Sequence, residues 1–288
     1  MEKLNKKELT VVVTGSSSGI GKELCRALIS NGYKVFGTTR SKSDSVKLLK
    51  EFGPGFKPLI MDVTIESQVI RAKKKIEKHL AGRKLCALVN NAGVATLAPV
   101  EHMSTSDFIK QINAKVLGTF LCTKIFLPLL GTDKKLVGVP GRIINISSIL
   151  GGKIGVPFMS SYCASKHAVE AFSESLRREL RLFGIKVIIV APGSVSTPIW
   201  NTVKTHKNNM SFSRTAYSLP FMKSLNFLEQ LDKRSLPIEK LSRVIIECIE
   251  SKNPKLRYNP TKNYFQKLWP LIPRKLMDKL FSLTYGLK

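Results

Sequence analysis

The sequence predicts an α/β chain built as a doubly wound parallel sheet, on three observations. Short β-branched apolar runs alternate with stretches whose apolar residues recur at helical spacing. The runs VVVT, LCALVN, RIINIS and VIIV are apolar almost throughout, as strands covered by helices on both faces should be. The first run also passes through a glycine-rich turn directly into the first helical stretch.

The elements follow in order. Leu9–Thr14 and Tyr33–Thr39 are strand-like runs flanking Gly19–Asn31, where Ile20, Leu24, Ala27 and Leu28 recur as one helix face. Further strands are expected at Lys57–Met61, Leu85–Asn90, Arg142–Ser147 and Lys186–Val190, separated by helices near Glu66–Leu80, Thr105–Leu130 and Ser161–Phe183. After Pro192 the regularity weakens. Residues 194–237 carry Phe212, Phe221, Met222 and Phe227 among polar neighbours, a composition suited to a lid or to the wall of an apolar pocket and equally to ordinary core. A helix at Ile238–Ser251 follows, and residues 262–288 read as two short amphipathic helices separated at Pro270 and Pro273. At 288 residues the chain is expected to form one domain.

With 43% hydrophobic and 23% charged residues, composition points to a globular protein and away from disorder, collagen or a disulfide scaffold. Five cysteines, odd in number and widely spaced, fit reduced thiols in a cytoplasmic protein, and no pair has metal-ligand spacing. The first ten residues show no secretory pattern, and no run of about 18 uninterrupted apolar residues is present. The formal charge of +27 suits anionic partners such as acidic lipid or a phosphorylated cofactor. It also suits a lysine-rich solvated surface, and no motif for reading nucleic acid accompanies it.

Thr14–Gly21, TGSSSGIG, joins the first strand to the first helix, the arrangement that aims backbone N–H groups and a helix N-terminus at a pyrophosphate. At the end of the second strand, where a carboxylate would hold the ribose hydroxyls of NAD, the chain has Thr38-Thr39-Arg40. The guanidinium of Arg40 suits the 2′-phosphate of NADP, with NAD the alternative and Asp44 nearby in sequence. Tyr162 and Lys166 are four residues apart on one helix face, so a lysine ammonium can favour the phenolate and bring the phenol towards its working range. Ser147 and Ser148 end the preceding strand, where a hydroxyl can hold a substrate oxygen. Such serines also form turns, and Y-x-x-x-K recurs by chance on helix surfaces.

In combination, TGSSSGIG, Asp62, NNAG at Asn90–Gly93, Ser148, Tyr162 with Lys166, and Pro192-Gly193 leading to Thr197 resemble the short-chain dehydrogenase/reductase family over roughly Leu9 to Trp200. The resemblance implies a Rossmann-like sheet of about seven strands and an NADP(H)-dependent oxidoreductase acting on a carbonyl or secondary alcohol. It assigns Tyr162 as the acid–base residue, Lys166 to the nicotinamide ribose and Ser148 to the substrate. It places Gly15, Ser17, Ser18, Gly19, Ile20 and Gly21 at the pyrophosphate, and Asp62 and Val63 by the adenine. Asn90, Ala92 and Gly93 would run along the cofactor, with Pro192, Gly193, Val195 and Thr197 near the nicotinamide. Tyr162–Trp200 is similar to members acting on steroids, retinoids and other lipophilic alcohols or ketones, which implies such a substrate. A homo-oligomer is implied as well.

One position departs from the pattern: Lys115 stands where the family carries asparagine, with Asn113 two residues early, and restoring Asn113 to the family position needs a distorted helix. The alternative it raises is a catalytically weak NADP(H)-binding sensor or scaffold. The C-terminal segment, mixing Trp269, Phe281 and Tyr285 with Lys267, Arg274, Lys275 and Lys279, has the make-up of a helix in peripheral contact with an anionic membrane, or of one whose apolar face closes the pocket.

Overall fold

The computed structural model describes residues 6–197, 212–233, 235–263 and 265–287. Seven parallel strands form one sheet in the order β3-β2-β1-β4-β5-β6-β7. They are β1 (Thr10–Val13), β2 (Lys34–Thr39), β3 (Phe56–Ile60), β4 (Ala87–Asn90), β5 (Arg142–Ile146), β6 (Lys186–Val190) and β7 (Arg257–Tyr258). The order reverses between β1 and β4, and the crevice outside the carboxyl ends at that reversal is where ligands bind in open α/β sheets. The expected doubly wound, Rossmann-like sheet of seven strands is therefore present.

Side chains alternate across the sheet and divide the core in two. On one face Val11 and Val13 pack with Leu24 and Leu28 of α1 (Gly19–Ser30) and Leu241 and Ile245 of a late helix, Ile238–Glu250. On the other, Val12 and Leu88 pack with Val69 and Ile76 of α3 (Glu66–Leu80) and Cys122 and Phe126 of α5 (Gly118–Leu127). Each β-branched strand residue so buried withdraws a side chain worth about 1.5–3 kcal/mol from water.

Two elements were not located in the sequence. α2 (Lys42–Phe52) starts at Ser41, whose hydroxyl accepts the Asp44 N–H at 3.0 Å, a capping contact typical of helix starts. β7 has two residues and pairs with β6 at Ile189 and Val190. The helix expected at Thr105–Leu130 is interrupted: α4 (Thr105–Ile112) and α5 are joined by a π-type turn at Asn113–Leu117, and a second such turn spans Pro128–Thr132. The whole run Thr105–Thr132 is long and apolar enough to cross a membrane by length and composition, but 56% of its most apolar window is buried in the protein.

The remaining helices are α6 (Ser160–Glu179), α7 (Ser218–Lys233), α8 (Ile238–Glu250), α9 (Phe265–Leu268) and α10 (Arg274–Tyr285). A third apolar cluster joins them beyond the carboxyl end of the sheet: Leu97, Val156 and Met159 meet Phe212, Phe221 and Leu225, with Met277, Phe281 and Tyr285 of α10 closing it. Residues 198–211, in the middle of the segment read as a lid, lie outside the described residues.

Candidate active site

The glycine-rich turn is built by close approach and latched on both sides. Gly15 has φ +67°, and a Cβ there would sit 2.8 Å from Ala92 Cα; a Cβ on Gly21 would sit 2.1 Å from the Gly15 carbonyl oxygen. Only glycine fits either position. Gly15 N–H donates to Thr38 Oγ1 at 2.9 Å, tying the turn to β2. Asn91 Nδ2 donates to the Thr14 and Gly15 carbonyls at 2.9 and 3.0 Å, and Asn91 and Ala92 N–H both donate to Thr14 Oγ1, tying it to the end of β4.

Ser17 and Ser18 are exposed at the tip. Ser18 precedes α1 in an extended conformation and its hydroxyl takes none of the first-turn N–H groups. Those groups, which include Ile20 and Gly21, remain available to an anion. The cradle therefore fits a dinucleotide pyrophosphate. Arg40 is exposed at the end of β2 and forms no ion pair with Asp44 or any other carboxylate among the described residues, which leaves its guanidinium free for a phosphate.

The other expected cofactor positions divide. Asp62 Oδ1 accepts from Thr64 N–H and Oγ1 at 2.9 and 2.7 Å, an arrangement that fixes the turn after β3, and Val63 is buried against Gly118. Gly93 is exposed just beyond the carboxyl end of β4, the central strand. The Asn90 amide donates to Asn145 Oδ1 at 2.8 Å and Thr123 Oγ1 at 3.2 Å, so its side chain pins β4 to β5 inside the fold. Val195 likewise turns its side chain into the core, beside Leu236. The Pro192 carbonyl accepts the Ile149 N–H at 2.9 Å, and Gly193 is held by the Pro260 carbonyl and faces Thr261 and Gln266. Thr197 is the last described residue of this loop.

Ser148, Tyr162 and Lys166 come together. Ser148 follows β5, its hydroxyl accepts the Leu150 N–H at 3.2 Å, and it lines one pocket with Tyr162. Tyr162 lies in the first turn of α6, and Lys166 one turn on places Nζ 6.0 Å from the centre of its ring. Lys166 Nζ donates to the Ile146 carbonyl at 2.6 Å. Burial pushes the Tyr162 phenol up to about 12, offset only in part by Ser148, and burial also pulls Lys166 down to about 8 against the charge of Glu170. Desolvation is the largest influence on each of these two groups.

Sequence reasoning missed the support beneath these residues. Glu170 accepts from Ser147 Oγ at 2.7 Å and forms a two-point pair with Arg257, whose guanidinium also reaches the Ser148 carbonyl at 3.5 Å. The four-residue step from Lys166 to Glu170 was a usable signal; nothing local marks Arg257. Asn91, Thr14 and Thr38 were within quoted motifs without a role of their own.

A cavity of about 90 Å³ opens beside Tyr162 and Ser148. Leu97, Leu150, Val156, Met159, Phe227, Leu228, Leu231 and Trp269 make it largely apolar. Ser194 and Tyr285 also line it, and their hydroxyl oxygens are buried with no hydrogen-bond partner among the described residues. The arrangement can take a lipophilic molecule and present its oxygen to two hydroxyls, one of which can give up a proton.

A profile of the short chain dehydrogenase family matches residues 9–208. The NADPH-dependent 3-dehydrocapnine reductase of Ornithobacterium rhinotracheale is 35% identical over 94% of this chain and 95% of its own length. Retinol dehydrogenase 16 of Mus musculus is 32% identical over 95% of this chain and 88% of its own. Among solved structures, a short-chain dehydrogenase/reductase from Burkholderia phymatum in complex with NAD superimposes with a TM-score of 0.78 over 96% of each chain. Its identity of 19% makes that a likeness of fold alone.

Proposed function

As this chain belongs to the short-chain dehydrogenase family and is an oxidoreductase acting on CH–OH groups, we propose that it is an NADPH-dependent reductase of a lipophilic ketone, with Tyr162 as proton donor. The observation that carries the reading is the Ser148–Tyr162 hydroxyl pair at the edge of a largely apolar cavity. The similarity to a 3-dehydrocapnine reductase supports the direction and the cofactor, and that to a retinol dehydrogenase supports a lipophilic substrate.

The residues that would hold NADPH are the Gly15–Gly21 cradle at the pyrophosphate, Arg40 at the 2′-phosphate, Asp62 and Val63 near the adenine, and Lys166 near the nicotinamide ribose. When bound, NADPH supplies the hydride. Ser148 holds the substrate oxygen by a hydrogen bond, and Tyr162 gives that oxygen its proton. With its phenol pushed up to about 12, Tyr162 keeps its proton at neutral pH, the state required of an acid in reduction. Glu170 and Arg257 hold the floor beneath Ser148 and Lys166, and the apolar wall excludes water. Loss of NADPH absorbance on a panel of lipophilic ketones tests the reading. Tight NADPH binding without turnover on any of them would favour the sensor or scaffold alternative.

A second observation supports peripheral contact with an anionic membrane by a protein working in the cytoplasm. α10 buries Met277, Phe281 and Tyr285, yet leaves Leu276, Leu280 and Leu283 exposed beside Arg274, Lys275 and Lys279, and Leu271 just before it is 75% exposed. One face thus closes the pocket while another offers leucines and cations together. The homo-oligomer implied by the family is supported by Phe108, Ile109, Leu117 and Phe120, exposed along α4, the π-type turn and α5.

A further inference from the structure

Lys115 enters the active site through a local irregularity. The π-type turn at Asn113–Leu117 interrupts the α4–α5 helical run, and Lys115 is its buried member, 4% exposed. Its stem runs against Gly93, where an added Cβ would lie 3.1 Å from both Cγ and Cε. Its Nζ donates to the Val94 carbonyl and lies 4.4 Å from the centre of the Tyr162 ring. Lys166 reaches the same ring at 6.0 Å, so two amines flank one phenol.

No carboxylate pairs with Lys115 among the described residues. The titratable groups facing it come from α6: Tyr162, with Cys163 beside it, and Lys166, with Glu170 behind. Burial and the charge of Lys166 both hold Lys115 well below the ordinary lysine range. A buried amine without a counter-ion costs the fold free energy that an apolar chain of equal length would not.

We propose that Lys115 is a positioning residue for the proton donor: held on the ring face of Tyr162 by the Val94 carbonyl, its amine stabilises the phenolate left when Tyr162 has given its proton to the substrate. The inference rests on the reading of Tyr162 as that donor. In the step, the Tyr162 O–H bond breaks as the O–H bond of the product alcohol forms, leaving one negative charge on the phenolate. That charge draws a solvent proton onto whichever amine is neutral, so the phenol and the two lysines titrate as a coupled set. No covalent bond to Lys115 forms, and the Tyr162 proton is restored from solvent before the next cycle.

Lys115→Met keeps the stem against Gly93 and deletes the amine. Turnover of a ketone is expected to fall about tenfold, the equivalent of one pH unit in phenol acidity. KM for the ketone and Kd for NADPH should stay within about twofold, as expected when an interaction made only in the transition state is removed. The pH profile of turnover should change, since one of the two amines coupled to the phenol is gone, and the melting temperature should hold or rise. A Lys115→Met protein with parental turnover and a parental pH profile overturns the inference while leaving Tyr162 as donor, provided Tyr162→Phe is inactive. A melting temperature that falls together with activity assigns Lys115 to packing and overturns it too. Retained turnover in Tyr162→Phe removes the underlying reading itself.

Discussion

Arg257 and Glu170 meet in a two-point ion pair, with Nε 3.0 Å from Oε2 and Nη2 3.0 Å from Oε1. The pair fastens the short edge strand β7 to α6 directly behind Lys166. The Glu170 side chain is 10% exposed and that of Arg257 27%, so removing one partner strands the other in a poorly hydrated place.

Glu170→Gln is expected to cost about 3 kcal/mol, the lower end of the range for breaking a buried pair, measured by urea unfolding. The pH dependence has a definite sign. Glu170 holds the Lys166 pKa up against burial, so its neutralisation moves Lys166 below its present value of about 8. The alkaline limb of reductase activity therefore shifts to lower pH; an unmoved limb would detach Glu170 from Lys166.

Gly15 and Gly82 separate backbone conformation from close approach. Both have positive φ, but a Cβ at Gly15 meets the Ala92 backbone at 2.8 Å, whereas at Gly82 nothing lies within 4 Å. Gly82→Ala should cost about 1 kcal/mol in stability and leave NADPH binding alone. Gly15→Ala should weaken NADPH binding at least about tenfold as well, since the cradle must shift to admit the methyl group. Equal Kd values for the two variants by fluorescence titration would remove the cradle from cofactor binding.

The fold was legible wherever its cause was local. Strands buried on both faces have to be apolar throughout, so β1, β4, β5 and β6 could be read directly, as could the glycine-rich turn and the Tyr162–Lys166 step. α2 was missed because its apolar residues do not mark one face: Leu48 is buried in the core, but Val46 is 58% exposed and Leu49 46%. β7 is too short for any periodicity, and with it Arg257 was lost as a partner for Glu170. Lys115 was visible as a departure from a pattern, but its seat on Tyr162 depends on a π-type turn that continuous helical periodicity from Thr105 to Leu130 conceals. The burial that raises the Tyr162 phenol is a property of the assembled site and not of residue spacing, so it was not legible in the sequence.

Arg40→Gln should discriminate between cofactors. Hydrogen bonds to a charged group are worth about 1.5–3 kcal/mol, so NADPH binding should weaken roughly 10- to 100-fold while NADH binding stays unchanged. The parental preference should also shrink as salt is added. Equal losses for NADPH and NADH would mean that Arg40 does not read the 2′-phosphate.

Replacing Leu276, Leu280 and Leu283 together by Gln removes the exposed stripe of α10 without touching the buried Met277, Phe281 and Tyr285. Co-sedimentation with vesicles containing phosphatidylserine should fall at least about fivefold, and ketone turnover in detergent solution should persist. Undiminished co-sedimentation would remove α10 from the membrane contact.

The central claim is that the Tyr162 phenol delivers the proton. With NADPH and a lipophilic ketone, Tyr162→Phe should lower turnover about 10²- to 10⁴-fold, the range for loss of a general acid, while the Kd for NADPH stays unchanged. Equal rates for the parent and Tyr162→Phe, at equal cofactor occupancy, would contradict it.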